Sequence, residues 1–331
     1  MNLDTKNSAL KIRSIMERMV FIGGPPRSGT TFAAKSLNLH PEIITAIDDH
    51  VYECWGLYYY RDRVGLVDDL RENRLDKEEA AQKLESYLFH ESFLMGAAPS
   101  DKLKEFPQLT TEDSSSTRLV RSVKDSGLVR HAVPVEEIPN DWYLCLKSPE
   151  VSHVLPQLSE SFKESRFVLV YRPIIEIAES MYRTGNMVKR FAVFHNRWEQ
   201  EWDMQKGFIP PPGVPAEWNE IWQTATRFQR CAMYAASYIL SIIDGTNYLD
   251  PKQYFIYNHA RLRNHPEEIY PKLAEFLEVD PSGFHSASSS INQEIPTAEP
   301  QLLREYAEIN RILDLDSLEK KIYQLSIHNK N

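Results

Sequence analysis

The chain has 331 residues, 42% hydrophobic and 26% charged, which is ordinary globular usage and excludes collagen-like, disordered and disulfide-scaffold classes. Lysine and arginine total 38 against 47 acidic residues, and the resulting net charge of -9 argues against a general nucleic-acid binder. Three widely spaced cysteines, Cys54, Cys145 and Cys231, match neither a disulfide framework nor a zinc pattern.

Residues 1–19 are charged and lack an apolar signal core, and no apolar run is long enough for a bilayer. The expectation is a soluble, cytoplasmic protein without a membrane span. Residues 19–24, Met-Val-Phe-Ile-Gly-Gly, read as a buried strand that stops at glycines. A helix follows from Ser28 and ends at His40-Pro41, with a second strand over 42–47. Residues 49–61 are rich in aromatics and read as helix. Residues 68–98 carry helical spacing, and 99–140 read as an irregular cover. Residues 142–146 and 166–171 read as strands around a helix over 150–161. Pro173 opens another helix over 174–184. Helices are then expected over 191–206, 218–243 and 267–278, with a strand at 253–257 and amphipathic helices over about 298–328. Strands alternating with helices imply a three-layer α/β fold: a central parallel sheet flanked by helices, with helical insertions. A single domain over 1–331, with a core at about 19–279, is the simplest organisation.

The segment Gly24-Pro25-Pro26-Arg27-Ser28-Gly29-Thr30-Thr31 follows a strand and opens a helix. It keeps the glycine frame of a phosphate-binding loop but has Thr30 where nucleotide hydrolases carry lysine. Such a frame lets backbone N–H groups and a helix N-terminus hold an anion. A triphosphate normally needs that lysine and Mg²⁺ as well. The later strand 167–171 ends in Arg172 rather than in a metal-holding carboxylate, which suits a less charged group handled without metal.

Pro26-Arg27-Ser28-Gly29-Thr30-Thr31 resembles the 5′-phosphosulfate loop of the sulfotransferase superfamily, nearest its tyrosylprotein-sulfotransferase-like and bacterial branches. His40-Pro41-Glu42-Ile43, Leu146-Lys147-Ser148-Pro149, Arg172-Pro173 with Ser180, and Tyr254 to Asn258 resemble later family segments in the same order. The resemblance implies a P-loop-like fold and 3′-phosphoadenosine 5′-phosphosulfate (PAPS) as donor, leaving adenosine 3′,5′-bisphosphate (PAP), with no metal. It implies that Arg27, Ser28, Gly29, Thr30 and Thr31 hold the 5′-phosphosulfate and that Arg172 and Ser180 hold the 3′-phosphate. Lys147 and Arg27 are the candidates for stabilising charge at the sulfuryl group.

The base is open among Asp48, Asp49, His50 and Glu53. His50 titrates near neutrality, whereas an Asp needs desolvation or its carboxylate neighbour to gain basicity. Tyr52, Trp55, Tyr58, Tyr59 and Tyr60 either pack a core or line an acceptor cleft. The expected acceptor is a hydroxyl on a small molecule, a lipid or a carrier-bound chain, with oligomeric state open. A non-catalytic nucleotide-binding protein and a P-loop kinase-like phosphotransferase are the alternatives.

Overall fold

A computed structural model describes residues 14–15, 18–46, 76, 78–79, 94–97, 105, 130–133, 138–184, 213–284 and 299–328. In chain order these form β1 (Val20–Gly23), α1 (Thr30–Asn38), β2 (Ile43–Ala46), β3 (Leu94–Ala97), β4 (Arg130–Val133) and β5 (Tyr143–Lys147). A 3₁₀ turn at Pro149–His153 leads to α2 (Leu155–Ser161), β6 (Arg166–Tyr171) and α3 (Ile174–Thr184). Then come α4 (Asn219–Thr224), α5 (Arg227–Thr246), β7 (Tyr254–Asn258), α6 (His259–Asn264) and α7 (Pro266–Leu277). The last two are α8 (Pro300–Leu313) and α9 (Leu315–His328).

The strands form one sheet in the order β4-β3-β2-β5-β1-β6-β7. β2, β5, β1, β6 and β7 run parallel, and β3 and β4 add an antiparallel margin. The parallel strands are apolar without polar alternation because both faces are covered. Successive side chains divide between two cores. Phe21, Leu144, Leu146, Phe167 and Leu169 face α2, α3, α5, α8 and α9. Val20, Ile22, Cys145, Val168, Val170 and Phe255 face α1, α6 and α7. The expected three layers are present.

Several boundaries differ from the sequence expectation. Most of the stretch 68–98 read with helical spacing lies outside the described residues, and Leu94–Ala97 near its end is β3, whose Gly96 pairs with Ala46 of β2. Residues 99–140 are not irregular throughout, because Arg130–Val133 pairs with β3 as β4. The helix expected over 150–161 is a 3₁₀ turn and a separate α2, divided at Val154 (φ -136°, ψ 26°). The helix expected over 218–243 divides at Thr226, whose side chain accepts from the Gln229 N–H while Gln229 reaches back to the Thr226 N–H. That reciprocal cap satisfies two donors and starts α5 afresh. The helices read over 49–61 and 191–206 lie outside the described residues.

Two long-range ties fix the surroundings of the sheet. His40 accepts from the Glu42 N–H at Nδ1 (3.1 Å) and bonds the Asp280 carbonyl through Nε2 (2.9 Å). That pins the α1–β2 turn to the segment after α7. On the other face, Glu319 of α9 accepts from the Ile174 N–H at 2.5 Å and from the Tyr306 hydroxyl at 3.3 Å. It caps the first turn of α3, where backbone donors have no intrahelical partner. Burial raises the Glu319 pKa, and those two hydrogen bonds oppose the rise. The Tyr171 hydroxyl and Ser326 Oγ meet at 3.1 Å, a further tie between β6 and α9. Among the described residues no helix is long and apolar enough to cross a membrane.

Candidate active site

The register of the parallel strands decides which residues share an edge. Ile22 lies beside Lys147, Gly23 beside Leu169, and Tyr171 beside Asn258. The C-terminal ends of β5, β1, β6 and β7 therefore form one rim, which is where open α/β sheets bind ligands. Lys147, the loop after Gly23, Arg172 and His259 all emerge on it.

The loop after β1 is shaped by three residues with positive φ. They are Gly24 (137°), Arg27 (72°) and Gly29 (108°). The Ser28 N–H donates to the Pro25 carbonyl at 3.0 Å, closing a turn with Pro26 second and left-handed Arg27 third. Proline suits the second position, but the third normally takes glycine, so Arg27 carries strain of roughly 1 kcal/mol or more. Gly24 has no room for a side chain, since a Cβ there would lie 2.1 Å from the Val170 carbonyl oxygen. Its N–H donates to Ser152 Oγ at 2.8 Å, and the Ser148 N–H donates to the Ile22 carbonyl at 3.0 Å. The 3₁₀ turn after β5 thus braces the loop from one side.

Gly29 caps α1, whose first internal bond runs from the Ala33 N–H to the Gly29 carbonyl at 2.9 Å. The preceding N–H groups, those of Thr30 and Thr31 among them, lie at the positive end of the helix. Thr30 and Ser28 are buried, while Thr31 and Arg27 are exposed. Ser28 Oγ is buried with no hydrogen-bond partner among the described residues.

The next wall comes from β6 and α3. Arg27 Nε donates to Ser180 Oγ at 3.2 Å, and Arg172 NH1 donates to the Arg27 carbonyl at 3.3 Å. The structure thus brings together Arg27, Arg172 and Ser180, which are up to 153 positions apart. Arg172 also forms an ion pair with Glu176, with Nε and NH2 at 3.1 and 2.8 Å from one carboxylate oxygen. This i,i+4 pair orients the guanidinium along the rim.

Lys147 is 3% exposed at the end of β5, one strand from the loop. Behind it the buried Glu150 carboxylate accepts from Ser148 Oγ (3.0 Å) and from the Tyr238 hydroxyl (3.3 Å). Asp48, Asp49, His50 and Glu53 lie outside the described residues, as do the aromatics from Tyr52 to Tyr60.

Two residues of the rim were not singled out from the sequence. Ser152 carries no motif. His259 directly follows β7, and its ring packs on Gly29. The only sequence signal for His259 is its place after an apolar strand and a capping asparagine.

A comparison with curated protein sequences finds no match. Solved structures similar to this chain include the sulfotransferase domain of the Synechococcus PCC 7002 olefin synthase, at 15% identity and TM-score 0.43, with 94% of each chain covered. A sulfotransferase from Alicyclobacillus acidocaldarius is 11% identical at TM-score 0.42, covering 90% of this chain and 96% of that one. One from Mycobacterium tuberculosis H37Rv is 12% identical at TM-score 0.44, covering 96% and 79%. The profile of the sulfotransferase family matches residues 19–207, more than half of the chain, from β1 past the end of α3. The chain belongs to the sulfotransferase family.

Proposed function

We propose that the protein transfers a sulfuryl group from PAPS to a hydroxyl on a small molecule, a lipid or a carrier-bound chain. The observation that carries this reading is the meeting of Arg27, Arg172, Ser180 and the α1 N-terminus on one rim beside Lys147. The orphaned, buried Ser28 Oγ inside the loop fits a group rich in acceptor oxygens. Arg27, Ser28, Gly29, Thr30 and Thr31 would hold the 5′-phosphosulfate, and Arg172 with Ser180 the 3′-phosphate. PAPS, when bound, supplies the sulfuryl group.

In the transfer, the acceptor oxygen bonds to sulfur as the bond from sulfur to the 5′-phosphate oxygen breaks. The hydroxyl proton passes to a base, and the electron pair leaves on the phosphate. Lys147 and Arg27 stabilise that moving charge. One of Asp48, Asp49, His50 or Glu53 takes the proton. Thr30 in place of the loop lysine fits a 5′-phosphosulfate, which brings less charge to the loop than a triphosphate does, and a step handled without metal.

Calorimetry with PAP tests the donor half, with ATP and Mg²⁺ as the comparison. Metal-independent binding is expected, and Arg172→Ala should weaken it by at least about tenfold, since a charge-assisted contact to phosphate is lost. Unchanged affinity in that variant would sink the 3′-phosphate assignment. Preference for ATP with Mg²⁺ would instead favour a kinase-like phosphotransferase. PAP binding without sulfation of any hydroxyl acceptor would leave a non-catalytic nucleotide binder.

A further inference from the structure

His259 opens α6 immediately after β7, where Asn258 Oδ1 accepts from the N–H groups of Ala260 (2.8 Å) and Arg261 (3.4 Å). Because Asn258 pairs with Tyr171 at the two strand ends, the residues that follow, His259 and Arg172, start from the same level of the rim. The imidazole lies against the anion-binding loop. A methyl group placed on Gly29 would come within 2.5 Å of both Cγ and Nδ1. Phe32 of α1 meets the ring edge-on at 5.2 Å. Nδ1 is buried and has no hydrogen-bond partner among the described residues.

The charges acting on the ring come from two directions. Arg172 acts from the turn between β6 and α3, and Arg263 from the ring's own helix. Gly29 and Phe32, on the α1 side, bring none. Burial first, then Arg172 and Arg263, push the His259 pKa down to about 4 from an ordinary 6.5. At neutral pH the ring is therefore an uncharged brace between two cations and a glycine.

We propose that His259 is a positioning residue that supports the loop from behind and takes up a proton when an anionic donor occupies the rim. The proposal rests on the donor reading above. A donor phosphate on Arg172, with its phosphosulfate on the loop, offsets the positive field that adds to burial in keeping the imidazole neutral. The protonated ring then adds a cation behind Gly29. Linkage is reciprocal, so whatever raises the proton affinity of His259 binds more tightly to its charged form. The sign follows: between the free and bound titration points, loading the donor consumes a proton. Acidification through that window strengthens the contribution of His259 to binding. Protonation of the donor's own phosphate near pH 6 acts the other way, so the ring has to be observed directly.

The test is a pH titration of the imidazole resonances of the full chain, with and without saturating PAP. The His259 signal, one of 10 histidines, is identified by its loss in His259→Asn, or in His259→Gln should the first variant not fold. The readout comes from the native protein. The expected result is a titration midpoint at least about one pH unit higher in the complex, a tenfold tighter proton. A midpoint that stays in place while calorimetry registers PAP binding overturns the proposal alone. Absence of any PAP binding overturns the donor reading, and the proposal with it.

Discussion

Lys147→Met should leave the protein folded and able to bind PAP but slow sulfuryl transfer by at least about 10²-fold. The expectation follows from where β5 ends. Lys147 is the last residue of that strand, pairs with Ile22, and is 3% exposed. The next residue, Ser148, donates its N–H to the Ile22 carbonyl, so the strand end cannot drift from the loop. An ammonium fixed in so enclosed a place needs no reorganisation as charge moves onto the leaving phosphate, which is the condition under which electrostatic catalysis is large. Methionine keeps an unbranched apolar stem one atom shorter, so the strand remains packed. Turnover measured at saturating donor, with PAP affinity from calorimetry, separates the two effects. A turnover within threefold of the native enzyme would remove Lys147 from the chemistry.

Gly24→Ala should cost more than about 3 kcal/mol of stability and abolish donor binding. Two independent penalties meet at this position. The backbone has φ 137°, which a Cβ disfavours, and that Cβ would sit 2.1 Å from the Val170 carbonyl oxygen. The obstacle is backbone of the paired strand β6, so relief requires β1 and β6 to part. Gly23→Ala is the matched control. Its Cβ would meet Leu169 Cδ2 and Ser152 Oγ at 3.1 Å, side-chain atoms that need give only a few tenths of an ångström, although Ser152 Oγ also holds the Gly24 N–H, so a milder loss is expected there. Chemical denaturation of both variants, together with PAP calorimetry, checks the contrast. A Gly24→Ala protein as stable as Gly23→Ala would show that the loop backbone is freer than its contacts imply.

Sequence patterns carried much of the sheet and the anion loop, for identifiable reasons. β1, β5, β6 and β7 are continuous apolar runs because both sheet faces are covered, and each stops at glycine or a polar residue. The Gly24 and Gly29 frame was legible because positive φ at both positions, with a close backbone approach at Gly24, favours glycine. β3 and β4 were not legible. Leu-Met-Gly-Ala and Arg-His-Ala-Val have little β-branched content, and their pairing is set by distant Ala46. The division of α5 from α4 was written in Thr226 and Gln229, but apolar periodicity running across it read as one helix. Ser152 and His259 escaped notice because their importance is spatial. One reaches Gly24 across 128 positions, and the other meets Gly29 through the fold alone. The base candidates Asp48, Asp49, His50 and Glu53 rest on sequence and resemblance.

The cap that Glu319 places on Ile174 has a consequence for the growing polypeptide. Ile174 leaves the ribosome 145 residues before its partner. At roughly 5–20 residues per second that interval is about 7–30 s. Throughout it the helix bearing Glu176 and Ser180 has an open first turn, while β1, β5 and β6 are already made. The first turn of α3 is therefore closed only after β7 has also been made, by a side chain 145 residues further along the chain.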